Sequence, residues 1–171
     1  MAETTIGTYL GYKEITSSDA HRTDTGFTEY YKITSYDKLA DIVDYPDMGS
    51  EPEQIETTTL SNLRKRSYVE GLQDSGSLSF TCNYDKSEFL VLRGLVGKRC
   101  QFCVLFDDGN NSSAWEFVGT VSAYPSGGGV NEVRQGSIVI TADVPPELNS
   151  LATASSYDDT SDTIAITYPS T

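Results

Sequence analysis

Between Ser77 and Asp85 the chain reads SLSFTCNYD, with Leu78, Phe80, Cys82 and Tyr84 alternating with Ser77, Ser79, Thr81 and Asn83. A period of two sends every apolar side chain of an extended segment to one face, so this segment is a strand with a core side and a solvent or partner side. A strand of this kind needs neighbours to complete its hydrogen bonds, and the rest of the chain supplies them. Segments rich in aromatic and β-branched residues recur at Thr8–Ile15, Phe27–Tyr36, Arg99–Asp107, Trp115–Tyr124 and Gly136–Val144, with a last short one at Thr163–Tyr168. Turn signals separate several of them, at Asp108-Gly109-Asn110-Asn111 and at Ser126-Gly127-Gly128-Gly129, and consecutive antiparallel hairpins are the simplest connection.

One helix interrupts the pattern. Asp85 stands as an N-cap with Glu88 three residues on, Phe89, Leu92, Leu95 and Val96 share a face, and Gly97 ends the run, which predicts a helix over about 86–96. The chain therefore reads as mainly β: an antiparallel β-sandwich or barrel-like domain over 1–146, one short flanking α-helix, and a stretch 147–171 read as a C-terminal arm or extra strand. At 171 residues one core is the natural expectation. Residues 37–56 are acidic and irregular, interrupted by Pro46, Gly49 and Pro52, and lead to a short strand at 54–60, which predicts a long exposed loop or hairpin arm over about 41–70.

Charge and composition narrow function. The formal net charge is -13, so the surface repels polyanions, and sequence-specific nucleic-acid binding is not expected. The one dense basic cluster, Arg64-Lys65-Arg66, reads as a local ion-pairing or subunit-contact patch. No apolar run approaches the roughly 20 residues that cross a bilayer, and Met-Ala-Glu-Thr-Thr does not look like a signal peptide, so no membrane partner and a cytosol-like compartment are expected. The three cysteines, Cys82, Cys100 and Cys103, cannot all pair within one chain and are expected reduced and buried.

Catalytic chemistry finds no foothold. The single histidine, His21, lies in a polar loop without a nucleophile near it in sequence. Cys100-Gln-Phe-Cys103 has metal-site spacing but no second pair, and in a strand an offset of three turns the two thiols to opposite faces. Asp107-Asp108-Gly109 lacks the remainder of a calcium loop and Gly127-Gly128-Gly129 lacks that of a phosphate loop. No enzyme activity, cofactor or metal is expected.

The succession Pro46-Asp47-Met48-Gly49, Glu51-Pro52-Glu53-Gln54-Ile55, Thr57-Thr58-Thr59-Leu60, Tyr68-Val69-Glu70-Gly71-Leu72, Asp74-Ser75-Gly76-Ser77-Leu78 and Phe80-Thr81-Cys82-Asn83-Tyr84 resembles that of the major tail tube proteins of long-tailed, siphovirus-type bacteriophages. Trp115-Glu116-Phe117-Val118-Gly119, Gly128-Gly129-Val130-Asn131-Glu132-Val133 and Ile138-Val139-Ile140-Thr141 are similar to the same family. The resemblance implies a structural virion protein that self-assembles into stacked, hexameric rings, a hollow tail tube that conducts DNA during ejection. Its implied partners are further copies of itself, the tape measure, distal tail and tail terminator proteins, and DNA passing through the lumen without sequence-specific binding. The implied place is the virion tail, assembled in the host cytoplasm.

The family's long loop, which reaches a neighbouring subunit, would map onto the arm. The interface residues implied are Asp47, Gly49, Glu51, Pro52, Glu53, Thr57, Thr58, Leu60, Leu63, Arg64, Lys65, Arg66 and Tyr68. Pro46 and Pro52 limit the arm's freedom, Thr57, Thr58 and Thr59 favour extension, Leu60, Leu63 and Tyr68 offer apolar anchors, and Arg64, Lys65 and Arg66 would meet acids such as Glu51, Glu53 or Glu56 of an adjacent copy. Two other readings are weighed beside it. One is a soluble carbohydrate-type β-sandwich, suggested by the eleven tyrosines and Trp115. The other is a related tube or ring protein of another contractile or injection apparatus.

Overall fold

The structure is a computed structural model that describes residues 7–21, 30–49, 51–59, 66–70, 76–109 and 112–169. In chain order the elements are β1 (Thr8–Glu14), β2 (Ser35–Ala40), β3 (Ile42–Asp44), β4 (Gln54–Glu56), β5 (Tyr68–Glu70), β6 (Ser77–Asn83), α1 (Lys86–Leu95), β7 (Arg99–Phe106), β8 (Ser113–Pro125), β9 (Gln135–Leu148), β10 (Ala154–Asp158) and β11 (Thr163–Thr167). Nine strands form one antiparallel sheet in the order β10-β11-β2-β1-β7-β8-β9-β6-β3, and β4 and β5 form a separate ladder. The expected class, mainly β with one short flanking helix, is the class observed. The sheet is curled into a half-barrel. Its curl follows from one segment: β2 pairs with β1 while β3, one residue further on, pairs with β6 at the far end of the sheet.

β7 is the spine. Its residues from Cys100 to Leu105 are all buried. Cys100, Phe102 and Val104 point into the curl with Leu10, Leu39, Phe80, Phe117, Ile138 and Ile140, and α1 adds Leu92 and Leu95 to that cluster. Cys103 and Leu105 point the other way, into a second cluster with Tyr36, Ile33, Ile164 and Ile166. The two thiols thus lie on opposite faces, as their spacing requires.

The second cluster encloses a polar network. The Tyr36 hydroxyl donates to Glu116 Oε1 at 2.7 Å and accepts from Gln101 Nε2 at 2.7 Å, and Asn149 Nδ2 donates to the same Glu116 oxygen at 3.3 Å. Burial, and then the adjacent Glu116 carboxylate, holds the Tyr36 phenol well above its ordinary pKa, so it remains a donor. Asn149 also donates to the Tyr168 hydroxyl at 3.0 Å, which ties the end of the chain to the network.

The C-terminal strand expected at 163–168 is β11, and it pairs with β2 through Ile164↔Tyr36 while β10 pairs with β11 outside it. Tyr157 of β10 stacks on Tyr9 with ring centroids 3.8 Å apart, and its backbone N–H donates to Asp107 at 3.2 Å. Residues 147–169 are therefore built into the sheet and its second core.

Four expectations are corrected. The strand expected over 27–36 is not continuous: residues 27–29 lie outside the described residues, and Tyr30 to Thr34 leave the ladder. There the Tyr31 N–H donates to the Gln101 side chain at 2.7 Å and the Tyr31 carbonyl accepts from it at 2.9 Å, and only an isolated bridge to His21, with Lys32 N donating to Ala20 O at 2.6 Å, pairs this backbone with another segment. Residues 37–44, expected to be irregular, instead supply most of β2 and all of β3. β9, expected to stop at Val144, runs on through Pro145 and Pro146 to Leu148. Those prolines fall where β8 and β9 shift register between Glu116 and Val118, and beyond the last β6 partner at Thr141, so no missing N–H interrupts a regular ladder. Val96 follows α1 as its C-cap and is exposed, not part of the buried face.

The helix is otherwise as expected, with the Asp85 carboxylate accepting from Ser87 N at 2.8 Å and Glu88 N at 3.3 Å. α1 is seated by a close approach, because a Cβ at Gly136 would lie 2.2 Å from the Phe89 ring. Gly136→Ala is expected to cost about 1–3 kcal/mol in urea unfolding. In a Phe89→Ala background the same change is expected to be nearly neutral, and an equal cost in both backgrounds would show that the contact is not what selects glycine.

Candidate assembly interface

The arm expected over 41–70 has two parts. At its root, Tyr45 and Met48 are half-buried against the main core, and Tyr45 meets Phe106 with ring centroids 5.5 Å apart. Asp47 and Gly49 beside them are exposed. Beyond this root every described residue, 51–59 and 66–70, is exposed. The ladder pairs Gln54↔Glu70, Ile55↔Val69 and Glu56↔Tyr68, so Ile55 and Val69 share one face while Tyr68 stands on the other among Gln54, Glu56 and Glu70. Thr57 N donates to Ser67 O at 2.8 Å and Ser67 N to Thr58 Oγ1 at 3.2 Å, extending the hairpin within one chain.

Of the residues singled out from sequence, Glu51, Pro52, Glu53, Thr57, Thr58, Arg66 and Tyr68 lie together on this hairpin and are solvent-facing. Arg66 Nε comes within 3.9 Å of Glu56 Oε1 of its own chain, with both side chains largely exposed. Such a contact contributes little and leaves the guanidinium accessible. Leu60, Leu63, Arg64 and Lys65 lie outside the described residues.

The other marked residues are structural. His21 is exposed and packs on Tyr31 with ring centroids 4.5 Å apart. Asp107 closes its turn by accepting from Ser112 at 2.7 Å and Gly109 at 2.9 Å. Burial works against the charge of Asp107, but these bonds and that from Tyr157 hold its carboxyl below the ordinary range. Gly129 N donates to Glu132 at 2.6 Å in the glycine turn. Trp115 is half-buried in the ladder opposite Val104 and Leu148. Among the described residues no group of three or more His, Cys, Asp and Glu is placed to hold a metal ion, and no helix is long and apolar enough to cross a membrane.

Sequence reasoning missed a surface on the helix side. Lys86, Phe89, Leu90, Arg93 and Val96 line a cleft of about 410 Å³ together with Tyr84 and Ala123. Tyr84 also borders an adjoining cleft of about 560 Å³ that includes Val133 and Arg134. The signal was present in Leu90 and Val91, apolar residues off the helix's buried face.

No protein-family description matches the chain, and no curated protein sequence does either. Among solved structures it is similar to the sheath/tube terminator of an extracellular contractile injection system, PVC, in the extended state. The identity is 9%, the TM-score 0.50, and the match covers 88% of this chain and 98% of that one. Over nearly its whole length, then, the chain shares its fold with a terminator of a sheath and tube. At this identity the likeness is one of fold.

The cysteines give a test of the core around which these surfaces are arranged. All three are free and buried, burial pushes the Cys82 thiol up, and it pushes Cys100 up to about 11. Iodoacetamide at pH 8 is expected to leave the native chain unmodified and to alkylate all three thiols in urea. Rapid modification of Cys82 or Cys100 under native conditions would contradict this packing.

Proposed function

We propose that this chain is a structural, non-enzymatic virion protein: a tail tube subunit of a long-tailed phage whose copies close into rings and stack into a hollow tube. The observation that carries the reading is the combination of a rigid half-barrel with an arm whose every described residue beyond the root is exposed. An isolated two-stranded hairpin is marginal in water, so a chain that keeps one intact is built to cover it with something else. The ordered tail-tube-like signature supplies the identity of that something, and the fold shared with a sheath/tube terminator supports it. A surface with net charge -13 suits a lumen that DNA slides past.

The sheet's outermost strands, β3 and β10, leave backbone groups for pairing at either end, and ring closure would cover such edges. The further copies, the tape measure, the distal tail and the terminator are the partners this role requires. It also places assembly in the host cytoplasm and the mature protein in the virion tail.

The likeness to a terminator favours one second reading, a single ring that caps a tube instead of forming it. Negative-stain microscopy of the concentrated protein, alone and co-expressed with the other tail proteins, separates the two. A tube subunit is expected to give stacked rings of uniform diameter and variable length. Single rings that never stack would favour the cap, and strict monomers in every condition would contradict both.

A further inference from the structure

Two surfaces of this chain are each incomplete, and they match one another. The first is the face of the arm carrying Ile55 and Val69, directly opposite across the ladder and 53% and 55% exposed. Glu53, two residues before Ile55, falls on its side of the strand by alternation, with Glu51 ahead of it, while Glu56 and Glu70 stand on the opposite face with Tyr68. The only described cation on the arm, Arg66, is turned toward Glu56 of the same hairpin.

The second is the cleft beside α1. Lys86, Leu90, Arg93 and Val96 recur at helical spacing on one edge, with Leu90 59% and Val96 57% exposed. Its apolar floor is rimmed by Lys86 and Arg93, and Arg134 stands in the adjoining cleft. None of these three cations forms an ion pair with a described residue. In a chain with 12 Lys and Arg against 25 Asp and Glu, two uncommitted cations on the rim of one apolar cleft, with Arg134 and Glu132 both lining the next, mark a place for an acidic, partly apolar ligand.

The arm has that chemistry, and its described residues beyond the root, all of them exposed, do not fill the cleft of their own chain. We infer that the cleft between α1 and β8 receives the acidic strands of the β4–β5 arm from another copy. Ile55 and Val69 bury against Leu90 and Val96, while Glu51 and Glu53 face Lys86 and Arg93. Apolar contact supplies affinity and the charges fix register. The contact is heterologous, donor arm to acceptor cleft, so it propagates from copy to copy and closes only when a ring or tube does. This inference rests on the reading that copies of the chain assemble.

The test uses the full chain with single cysteines added, the native thiols being buried. Ile55→Cys and Leu90→Cys proteins are mixed under conditions in which wild type assembles, and then mildly oxidised. A covalent dimer is expected from the mixture, several-fold above that from Ile55→Cys mixed with Thr160→Cys, whose added thiol sits in the exposed β10–β11 turn. Leu90→Glu, and separately Arg93→Glu, should keep the wild-type circular dichroism and lose assembly. Assembled rings or tubes with no cross-link above the control, and normal assembly of Arg93→Glu, would overturn the acceptor site while leaving the structural role intact. Wild-type chain that never assembles would overturn that role and this inference with it.

Discussion

Everything in this fold depends on β7 being buried on both faces. A strand in a half-exposed antiparallel sheet alternates, but RCQFCVLF has almost no wet side, and each face must be covered by a different part of the chain. The inner face is covered by the curl of the sheet and by α1. The outer face is covered by the Tyr30–Thr34 stretch, the Tyr36–Gln101–Glu116–Asn149 network and the C-terminal hairpin. The bend at Asp41, the bulges near Glu116 and the docking of β11 on β2 all serve that double burial.

The consequence for function is a division of labour. Inside the half-barrel even the buried Glu116 carboxylate is bonded, accepting from Tyr36 and Asn149. What stays exposed is a two-stranded arm without a core and an apolar cleft rimmed by Lys86 and Arg93. A packed body with complementary exposed surfaces is suited to repetition, which is the physical content of the proposed tube-forming role.

Much of this was legible in the sequence. The alternation of Leu78, Phe80 and Cys82 marked β6, Asp85 and Gly97 bounded the helix, and the opposite facing of Cys100 and Cys103 followed from a period of two. The strand at Tyr30–Thr34 was misread because aromatic, β-branched composition looks the same whether the backbone is paired or bonded to a side chain such as Gln101. Pro145-Pro146 suggested a strand end because no local pattern reports that β8 has shifted register beside it. The uninterrupted run from Cys100 to Phe106 did carry the information that a second layer must cover β7, and the tail containing Ile164 and Ile166 was available to do it. Of the site, the arm was visible through its prolines, charges and tail-tube-like signature. The cleft was not, since it is formed by two segments distant in sequence, the stretch 84–96 with α1 and Ala123 of β8.

The central claim is that the arm is finished only by another copy of the chain. Amide hydrogen exchange of residues 54–58 and 67–70, compared between free subunit and assembled particles, measures this most directly. The account predicts exchange near the unprotected rate in the free chain and strong protection in the assembly, with β7 protected in both. An arm already protected in the monomer, or one still exchanging freely within intact rings or tubes, would contradict it.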